Sequence, residues 1–295
     1  MGRTCRDATG HDLPMAEPPY GPSWSAALAR GSESELRSWL DFALETADAA
    51  DAVARRWFRR DVEISTKPDR TYVTAADREI ERLVRTRLAD RFPAHGIVGE
   101  EYGDEDRPGE FRWIVDPIDG TANFVRGVPV FALLLAVERD GELQAGVVSA
   151  PAMGERWFAA RGLGAWAEGG ASGAGVRRRL AVSRVATLGD AQVLYGAATD
   201  VQRSGKAPGF TGLLGDVWRD RGFGDFWGYC LVAEGAAEAM VEADLKIWDL
   251  AAPALLVEEA GGRITDLAGE RRLDGGTALA TNGLLHDEVL RRLAC

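Results

Sequence analysis

The sequence contains few cysteines and no hydrophobic run long enough to cross a membrane. Its three cysteines, Cys5, Cys230 and Cys295, are far apart, odd in number and without a C-x-x-C pair. This spacing argues against a disulfide framework and against a zinc site. A transmembrane helix needs roughly 20 apolar residues, whereas the longest apolar run, residues 128–137, is strand-like and ends in a charged turn. We therefore expect a soluble protein in a reducing cytoplasm.

Positive charge and histidine are also scarce. Lys and Arg number 35 against 46 Asp and Glu, which gives a formal net charge of −11. Nucleic acid and anionic membrane surfaces repel such a chain, so neither is an expected partner. No catalytic triad is indicated around His11, His95 or His286, and the sequence lacks a G-x-S-x-G elbow and a P-loop. Water activated by a metal ion is the nucleophile that remains.

The remaining composition, with 46% hydrophobic and 27% charged residues, is that of a globular protein with a large core. Residues 1–22 mix charge, proline and glycine, which predicts a disordered extension, with Met15 as a candidate true start. We expect an α+β half at 23–170 that carries the metal site and an α/β half at 171–295 that carries the substrate-recognition elements. The Gly-rich stretch 168–175 marks this boundary, although a hairpin tip within one domain is an equal alternative.

Periodicity predicts the main elements. A capping-box pattern at Ser32 and Glu35 begins a helix to about residue 59, and a second helix runs from near Thr74 to a stop before Pro93. Short apolar runs between 96 and 160, including a hairpin turn at Asp140-Gly141, predict an antiparallel meander. Further predicted strands lie at 191–197, 237–242, 263–267 and 277–281, and further predicted helices at 227–236, 249–260 and from 284. This alternation is typical of α/β organisation.

The most specific feature is the string DPIDGTAN at residues 116–123, which directly follows an apolar run. The proline prevents a regular helix and Gly120 permits a tight turn, so the carboxylates of Asp116 and Asp119 and the Ile118 carbonyl can converge at a strand end. Oxygen ligands of this kind suit Mg²⁺. A helix entered after Gly120 would offer its first N–H groups to an anion such as phosphate. For a bare D-x-x-D-G, an Asx turn with solvated acids is an equal alternative.

Further acids have both a functional and a structural interpretation. Glu100 and Glu101 follow a short apolar run and alone would indicate a solvated loop. Asp249 follows a tryptophan at a predicted helix start and alone would indicate an N-cap. Asp77 has the spacing of a capping-box acid, and its functional alternative is to orient a water. Lys67 lies in a polar loop and alone would indicate a surface charge.

Together these motifs resemble the inositol monophosphatase family of metal-dependent phosphatases. The resemblance covers residues 35–292 and rests on GEE at 99–101, DPIDGTAN at 116–123, WD at 248–249 and EAGG at 259–262. It implies an α/β (α+β) fold, layered as an α/β/α/β/α sandwich of the inositol monophosphatase and fructose-bisphosphatase type. It further implies a phosphoric monoester hydrolase that acts on a small phosphate monoester and forms a homodimer.

The resemblance also implies a ligand set for two to three Mg²⁺ ions in each site. One ion would be bound by Glu100, Asp116 and the Ile118 carbonyl. A second would be bound by Asp116, Asp119 and Asp249, and a weaker third would lie near Glu100. The implied mechanism is in-line displacement by metal-activated water.

Catalytic and phosphate-binding roles follow from the same resemblance. Thr121, paired with Asp77, is expected to orient the attacking water, and Glu100 is counted with them as catalytic. Phosphate is expected to rest on the backbone amides of Gly120 and Thr121. Lys67 would lie in the loop that borders the site.

The choice of ester depends on the leaving-group side of the site. The segments 224–229 and 242–249 resemble the members that hydrolyse histidinol phosphate, and Asp119, Asp225 and Glu242 are the implied substrate-binding residues. Acids beside aromatic rings would suit an ammonium and an imidazole. The alternatives are an inositol-1-monophosphatase, a related small sugar or nucleotide phosphatase, and a non-catalytic member that binds a metabolite.

Overall fold

Helices and strands alternate through most of the chain in the computed structural model, which describes residues 31–60, 64–66, 72–107, 109–173 and 175–294. The predicted extension at 1–22 and Lys67 lie outside these residues. The helices are α1 (Glu33–Trp57), α2 (Ala75–Arg91), α3 (Thr121–Val125), α4 (Ala198–Val201), α5 (Ala207–Asp216), α6 (Asp225–Ala233), α7 (Ile247–Glu259) and α8 (His286–Leu293). Short helical turns lie at Gly170–Ser172, Leu188–Asp190 and Gln202–Lys206.

The strands divide between a two-stranded, an eight-stranded and a five-stranded sheet. They are β1 (Ile64–Thr66), β2 (Tyr72–Thr74), β3 (Gly96–Gly99), β4 (Gly103–Glu105), β5 (Phe111–Asp119), β6 (Ala132–Arg139), β7 (Glu142–Ala150), β8 (Glu155–Ala160), β9 (Gly164–Gly169), β10 (Arg177–Arg179), β11 (Gln192–Tyr195), β12 (Arg219–Arg221), β13 (Ala239–Ala243), β14 (Arg263–Thr265) and β15 (Thr277–Thr281). None of the described helices has both the length and the apolar character needed to cross a membrane.

Capping boxes begin both N-terminal helices, as the sequence predicts. Ser32 Oγ accepts the Glu35 N–H at 3.3 Å, and Glu35 Oε2 accepts the Ser32 N–H at 2.8 Å. Thr74 and Asp77 form the same reciprocal arrangement at the start of α2. Because each box satisfies N–H groups that have no partner within the helix, the starts of α1 and α2 are fixed locally.

The eight-stranded sheet has the order β10-β9-β8-β7-β6-β5-β3-β4. From β5 to β10 the neighbours are antiparallel, and Asp140 and Gly141, with φ of 51° and 80°, form the predicted hairpin turn. The predicted antiparallel meander is wrong at β3, which pairs with β5 in parallel. The reason is that β4 reverses the chain at the sheet edge, so β5 enters beside β3 in the same direction.

The five-stranded sheet has the order β12-β11-β13-β15-β14. Strand β11 is parallel to both β12 and β13, whereas β15 is antiparallel to β13 and β14. The Gly-rich stretch near residue 170 lies between β9 and β10, which pair with each other in antiparallel orientation. The division of the chain into halves at residue 170 stays a prediction.

Alternating side chains place each sheet between two helical layers, because successive residues of a strand face opposite sides. Trp113 and Val115 of β5 pack in the cluster that contains α1 and α2, whereas Ile114 packs with α6 and α7. In the second sheet, Met240 faces α6 and α7, and Val241 faces the cluster that contains α5 and α8. The layers therefore run α/β/α/β/α, as the family resemblance implies.

Candidate active site

The DPIDGTAN string lies where β5 ends against β6. Asp116 pairs with Leu134 and Asp119 with Ala132, and the register shifts between these two pairs. This β-bulge allows Asp116 and Asp119 to approach each other despite their separation along the strand. Gly120, with φ of 80°, then turns the chain into α3, and a Cβ there would meet the Val130 carbonyl at 3.0 Å.

Three carboxylates converge at this strand end and could hold a metal ion. Asp116, Asp119 and Asp249 each offer an oxygen within 4.8 Å of the others. Asp249 comes from α7, where its Oδ2 also accepts the Lys246 N–H at 2.7 Å. The N-cap interpretation of Asp249 is wrong, because Lys246 is the N-cap of α7 and Asp249 lies three residues further on, where its carboxylate reaches back to the Lys246 N–H. Its role as a metal ligand stays a prediction.

Two backbone N–H groups at the start of α6 donate hydrogen bonds to carboxylates of the site. The Phe226 N–H donates to Asp119 Oδ2 at 2.7 Å, and the Asp225 N–H donates to Glu242 Oε1 at 3.2 Å. Asn123 Nδ2 donates to Asp225 Oδ2 at 3.1 Å. Asp225 adopts a φ of 52°, a conformation that costs energy in non-glycine residues and is concentrated at functional sites. One helix start thus joins the end of β5 to the end of β13.

Asp77 links the second helix to Thr121. Its Oδ2 accepts from the Thr74 N–H at 2.8 Å, and its Oδ1 lies 3.2 Å from Thr121 Oγ1. Thr121 Oγ1 also lies 2.8 Å from the Ile118 carbonyl oxygen. The capping-box role therefore fixes Asp77 and leaves its other oxygen for Thr121, so the two interpretations of Asp77 are compatible.

The turn that carries Glu100 is held by a buried acid that the sequence reasoning missed. Glu81 on α2 accepts the N–H groups of Glu101 at 2.7 Å and Tyr102 at 3.1 Å, and it pairs with Arg85 at 2.8 Å. A Cβ at Gly99 would lie 2.2 Å from the Glu81 carboxylate. The only signal in the sequence is the i,i+4 spacing of Glu81 and Arg85, which is typical of an exposed helix pair.

Burial raises the pKa values of the clustered acids. It raises the pKa of Asp77 to about 6, of Asp249 to about 7 and of Glu242 to about 8. The pKa values of Asp116 and Asp119 also rise well above the usual range, first through burial and then through repulsion from neighbouring carboxylates, including Glu100 for Asp116. Among the described residues, no Lys or Arg forms an ion pair with Asp116, Asp119 or Asp249. A cation would relieve this repulsion, so the donor set fits a metal ion.

A cavity of about 200 Å³ lies beside the cluster, against α6 and the loop after β13. Its acidic wall residues are Asp119, Asp200, Asp225, Glu242, Asp244 and Asp249. Phe226 and Tyr229 add aromatic surface, and no Lys, Arg or His belongs to the described wall. Lys246 is exposed and stands outside it. The cavity therefore has the charge and the aromatic lining for a small cationic group.

The structure brings together the site residues that the sequence singled out. Glu100 follows β3 beside the cluster, and its charge raises the pKa of Asp116, Asp77 and Asp249. Asp225 and Glu242 stand together in the cavity wall. Their roles as ligands and substrate contacts stay predictions.

The comparisons with known proteins agree with this arrangement. The model of the Inositol monophosphatase family matches residues 35–294. A histidinol-phosphatase of Mycobacterium tuberculosis is 51% identical over 256 residues, which are 86% of this chain and 97% of that protein. An inositol-1-monophosphatase of Rhizobium meliloti is 37% identical over 76% of this chain and 83% of its own length.

The fold is also similar to solved structures. Extragenic suppressor protein suhB from Bartonella henselae superposes with a TM-score of 0.79 at 29% identity and covers 87% of this chain and 98% of that chain. Thermotoga maritima IMPase superposes with a TM-score of 0.76 at 31% identity, over 87% of this chain and 97% of that chain. With the carboxylate cluster at the end of β5, these matches show that the chain belongs to the inositol monophosphatase family.

Proposed function

We propose that this protein is a magnesium-dependent phosphomonoesterase that hydrolyses L-histidinol phosphate to L-histidinol and phosphate, a step of histidine biosynthesis. The observation that carries the proposal is the position of the three-carboxylate cluster beside an acid-lined cavity. A phosphate ester can place its phosphate at the cluster and a cationic alcohol in the cavity. The 51% identity to a histidinol-phosphatase supports this substrate.

The ligands of two to three Mg²⁺ ions would be Asp116, Asp119, Asp249, Glu100 and the Ile118 carbonyl. The buried, mutually repelling carboxylates described above fit a divalent cation that prefers oxygen ligands. When bound, such ions lower the pKa of a water and stabilise negative charge on the leaving oxygen.

Thr121 and Asp77 would position the attacking water. Asp77 is oriented by Thr74, so its Oδ1 is held 3.2 Å from Thr121 Oγ1. The single hydroxyl hydrogen of Thr121 points between the Ile118 carbonyl at 2.8 Å and Asp77 Oδ1 at 3.2 Å, so the lone pairs of Oγ1 stay available to a water proton. The amides of Gly120 and Thr121 at the start of α3 would hold the phosphate.

Asp225 and Glu242, together with Asp119, would bind the alcohol half of the ester. Histidinol carries an ammonium and an imidazole, and both suit a wall of carboxylates. Inositol offers only neutral hydroxyls, which Glu242 can also accept, and the 37% identity to an inositol-1-monophosphatase supports this second candidate. A protein that only binds a metabolite would have no turnover.

We further propose that the protein acts as a cytoplasmic homodimer. Cys230 is free and buried, which suits a reducing compartment. The basis for the dimer is the resemblance to the family. Light scattering of the purified chain tests the dimer, and a monomeric mass would contradict it.

Phosphate release from L-histidinol phosphate and inositol 1-phosphate, measured side by side with Mg²⁺ and with EDTA, tests the proposed function. We expect far faster turnover of L-histidinol phosphate and no turnover in EDTA. Faster hydrolysis of inositol 1-phosphate would refute the substrate and leave the metal chemistry intact. Absence of Mg²⁺-dependent turnover over a broad panel of phosphate esters would favour the binding protein.

A further inference from the structure

The side chain of Asn123, on the short helix α3, reaches across the site to α6. Its Nδ2 donates to Asp225 Oδ2 at 3.1 Å, and the two residues are 102 positions apart in the sequence. Among the described residues, no other group donates to this carboxylate. Because an ionised carboxylate has about four lone-pair sites, the bond to Asn123 leaves capacity for a ligand in the cavity that Asp225 lines.

The bond lies beside the turn that is expected to hold the phosphate. A Cβ at Gly120 would lie 3.5 Å from Asn123 Nδ2 and 3.5 Å from Asp225 Oδ2, so the amide and the carboxylate meet next to this glycine. The Asn123 carbonyl accepts the Val128 N–H at 2.9 Å, which fixes the backbone from which the side chain extends. The pair therefore stands between the proposed phosphate position and the cavity.

Asp225 needs a donor because it stands among other carboxylates. Besides burial, the charge of Asp225 raises the pKa values of Asp119 and Glu242, so these acids repel one another. The Asp225 N–H donates to Glu242 Oε1, which fixes the backbone but not the side-chain torsions of Asp225. Without Asn123, we expect the repulsion to turn the carboxylate away from its neighbours and out of its place in the wall.

We propose that Asn123 is a positioning residue that holds the Asp225 carboxylate toward the alcohol half of the phosphate ester. Asn123 donates to Oδ2 and leaves Oδ1 to accept an N–H or O–H group of the alcohol. The inference rests on the proposed function, since it concerns how the same site binds its ester. In this role Asn123 acts on binding of the alcohol half, and neither on the phosphate nor on the hydrolytic step.

The test separates the two ends of the ester. The values of kcat and KM for L-histidinol phosphate, and the inhibition constant Ki of inorganic phosphate, are measured at saturating Mg²⁺ for the wild type and Asn123→Ala. Val125→Ala is the matched control, because it shortens another half-buried side chain of α3 and keeps the bond to Asp225. Thermal denaturation of each variant checks that the fold is retained.

We expect KM for L-histidinol phosphate to rise about tenfold in Asn123→Ala, because the bond from the ester to a misplaced carboxylate is weakened. The values of kcat and of Ki for phosphate should stay at those of the wild type, and Val125→Ala should match the wild type in all three. A higher Ki would show that Asn123 binds phosphate or supports α3. That result, an unchanged KM, or a loss confined to kcat would overturn the inference.

A double variant shows whether Asn123 acts through Asp225. Asp225→Gly removes the carboxylate, and glycine adopts the φ of 52° without strain. If Asn123 only positions this carboxylate, adding Asn123→Ala to Asp225→Gly should not raise KM further. Two independent contacts would instead give effects that multiply, which would also overturn the inference.

The two proposals fail in different ways. A wild-type enzyme that hydrolyses inositol 1-phosphate but not L-histidinol phosphate refutes the proposed substrate, and the same variants measured on inositol 1-phosphate then decide the role of Asn123. A wild-type protein without Mg²⁺-dependent turnover of either ester refutes both proposals.

Discussion

Replacing Asp249 with asparagine should stabilise the metal-free protein and abolish the response to Mg²⁺. Burial raises the pKa of Asp249 to about 7 from 3.8. The folded state therefore binds this proton more tightly than the unfolded state does. As a result, the free energy of unfolding falls as pH rises from about 4 through 7. At 1.36 kcal/mol for each pKa unit, the ionised carboxylate destabilises the fold by up to about 4 kcal/mol above pH 7. Asparagine avoids this cost.

The local geometry allows the substitution. Asp249 Oδ2 accepts the Lys246 N–H at 2.7 Å, and the amide oxygen of asparagine can accept the same bond. Asp244→Asn is the matched control, because Asp244 lines the same cavity but is exposed, and its φ of 66° is one that asparagine tolerates. The control removes an equal charge without removing a buried one.

Thermal denaturation in EDTA at pH 5 and pH 8, repeated with Mg²⁺, provides the measurement. At pH 8 we expect Tm of Asp249→Asn to lie roughly 5 to 8 °C above that of the wild type, with a smaller gain at pH 5. Added Mg²⁺ should raise Tm of the wild type and of Asp244→Asn, and leave that of Asp249→Asn nearly unchanged. A variant that is less stable than the wild type in EDTA at pH 8, or equally stabilised at both pH values, would refute the reasoning.

Three other changes have defined outcomes. Asp119→Asn should keep the bond from the Phe226 N–H, and so the fold, while kcat falls on the order of a thousandfold; a rate near wild type at saturating Mg²⁺ would contradict its role. Glu81→Gln should raise the Mg²⁺ concentration for half-maximal activity and for half-maximal thermal stabilisation about tenfold, because the turn that carries Glu100 loosens; a loss of stability with unchanged Mg²⁺ dependence would make Glu81 purely structural. His286 is buried between Thr265 and Thr281, and burial lowers its pKa to about 4. Its contribution to stability should be lost as pH falls from 6.5 to 4, by about 3 kcal/mol, and denaturation curves of His286→Asn should lack this part of the pH dependence.

Much of the local structure could be predicted because its causes are local. The capping boxes at Ser32 and Thr74 are sequence patterns that satisfy N–H groups within one helical turn, so the starts of α1 and α2 followed from the sequence. The same holds for the hairpin turn at Asp140-Gly141 and for the apolar strand that leads into Asp116, although the structure continues this strand through a bulge to Asp119. The acids of DPIDGTAN were recognisable because proline, glycine and carboxylates have fixed spacing there.

The parallel pairing of β3 with β5 could not be predicted from alternation. Alternation reports which side of a strand faces a core, and it is the same for parallel and antiparallel neighbours. The direction was decided by β4, which pairs with β3 through exposed residues that carry no apolar signal.

The sequence by itself determined the acidic residues of the site and the capped helices, because these depend on residue type and short spacing. The layered fold followed from the resemblance of its motifs to a known family. Only the tertiary structure decided how the cluster is supported. The Phe226 N–H reaches Asp119 across 107 positions, and Glu81 is buried beneath the turn at Glu101. Such contacts depend on how distant segments pack, and no local pattern encodes them.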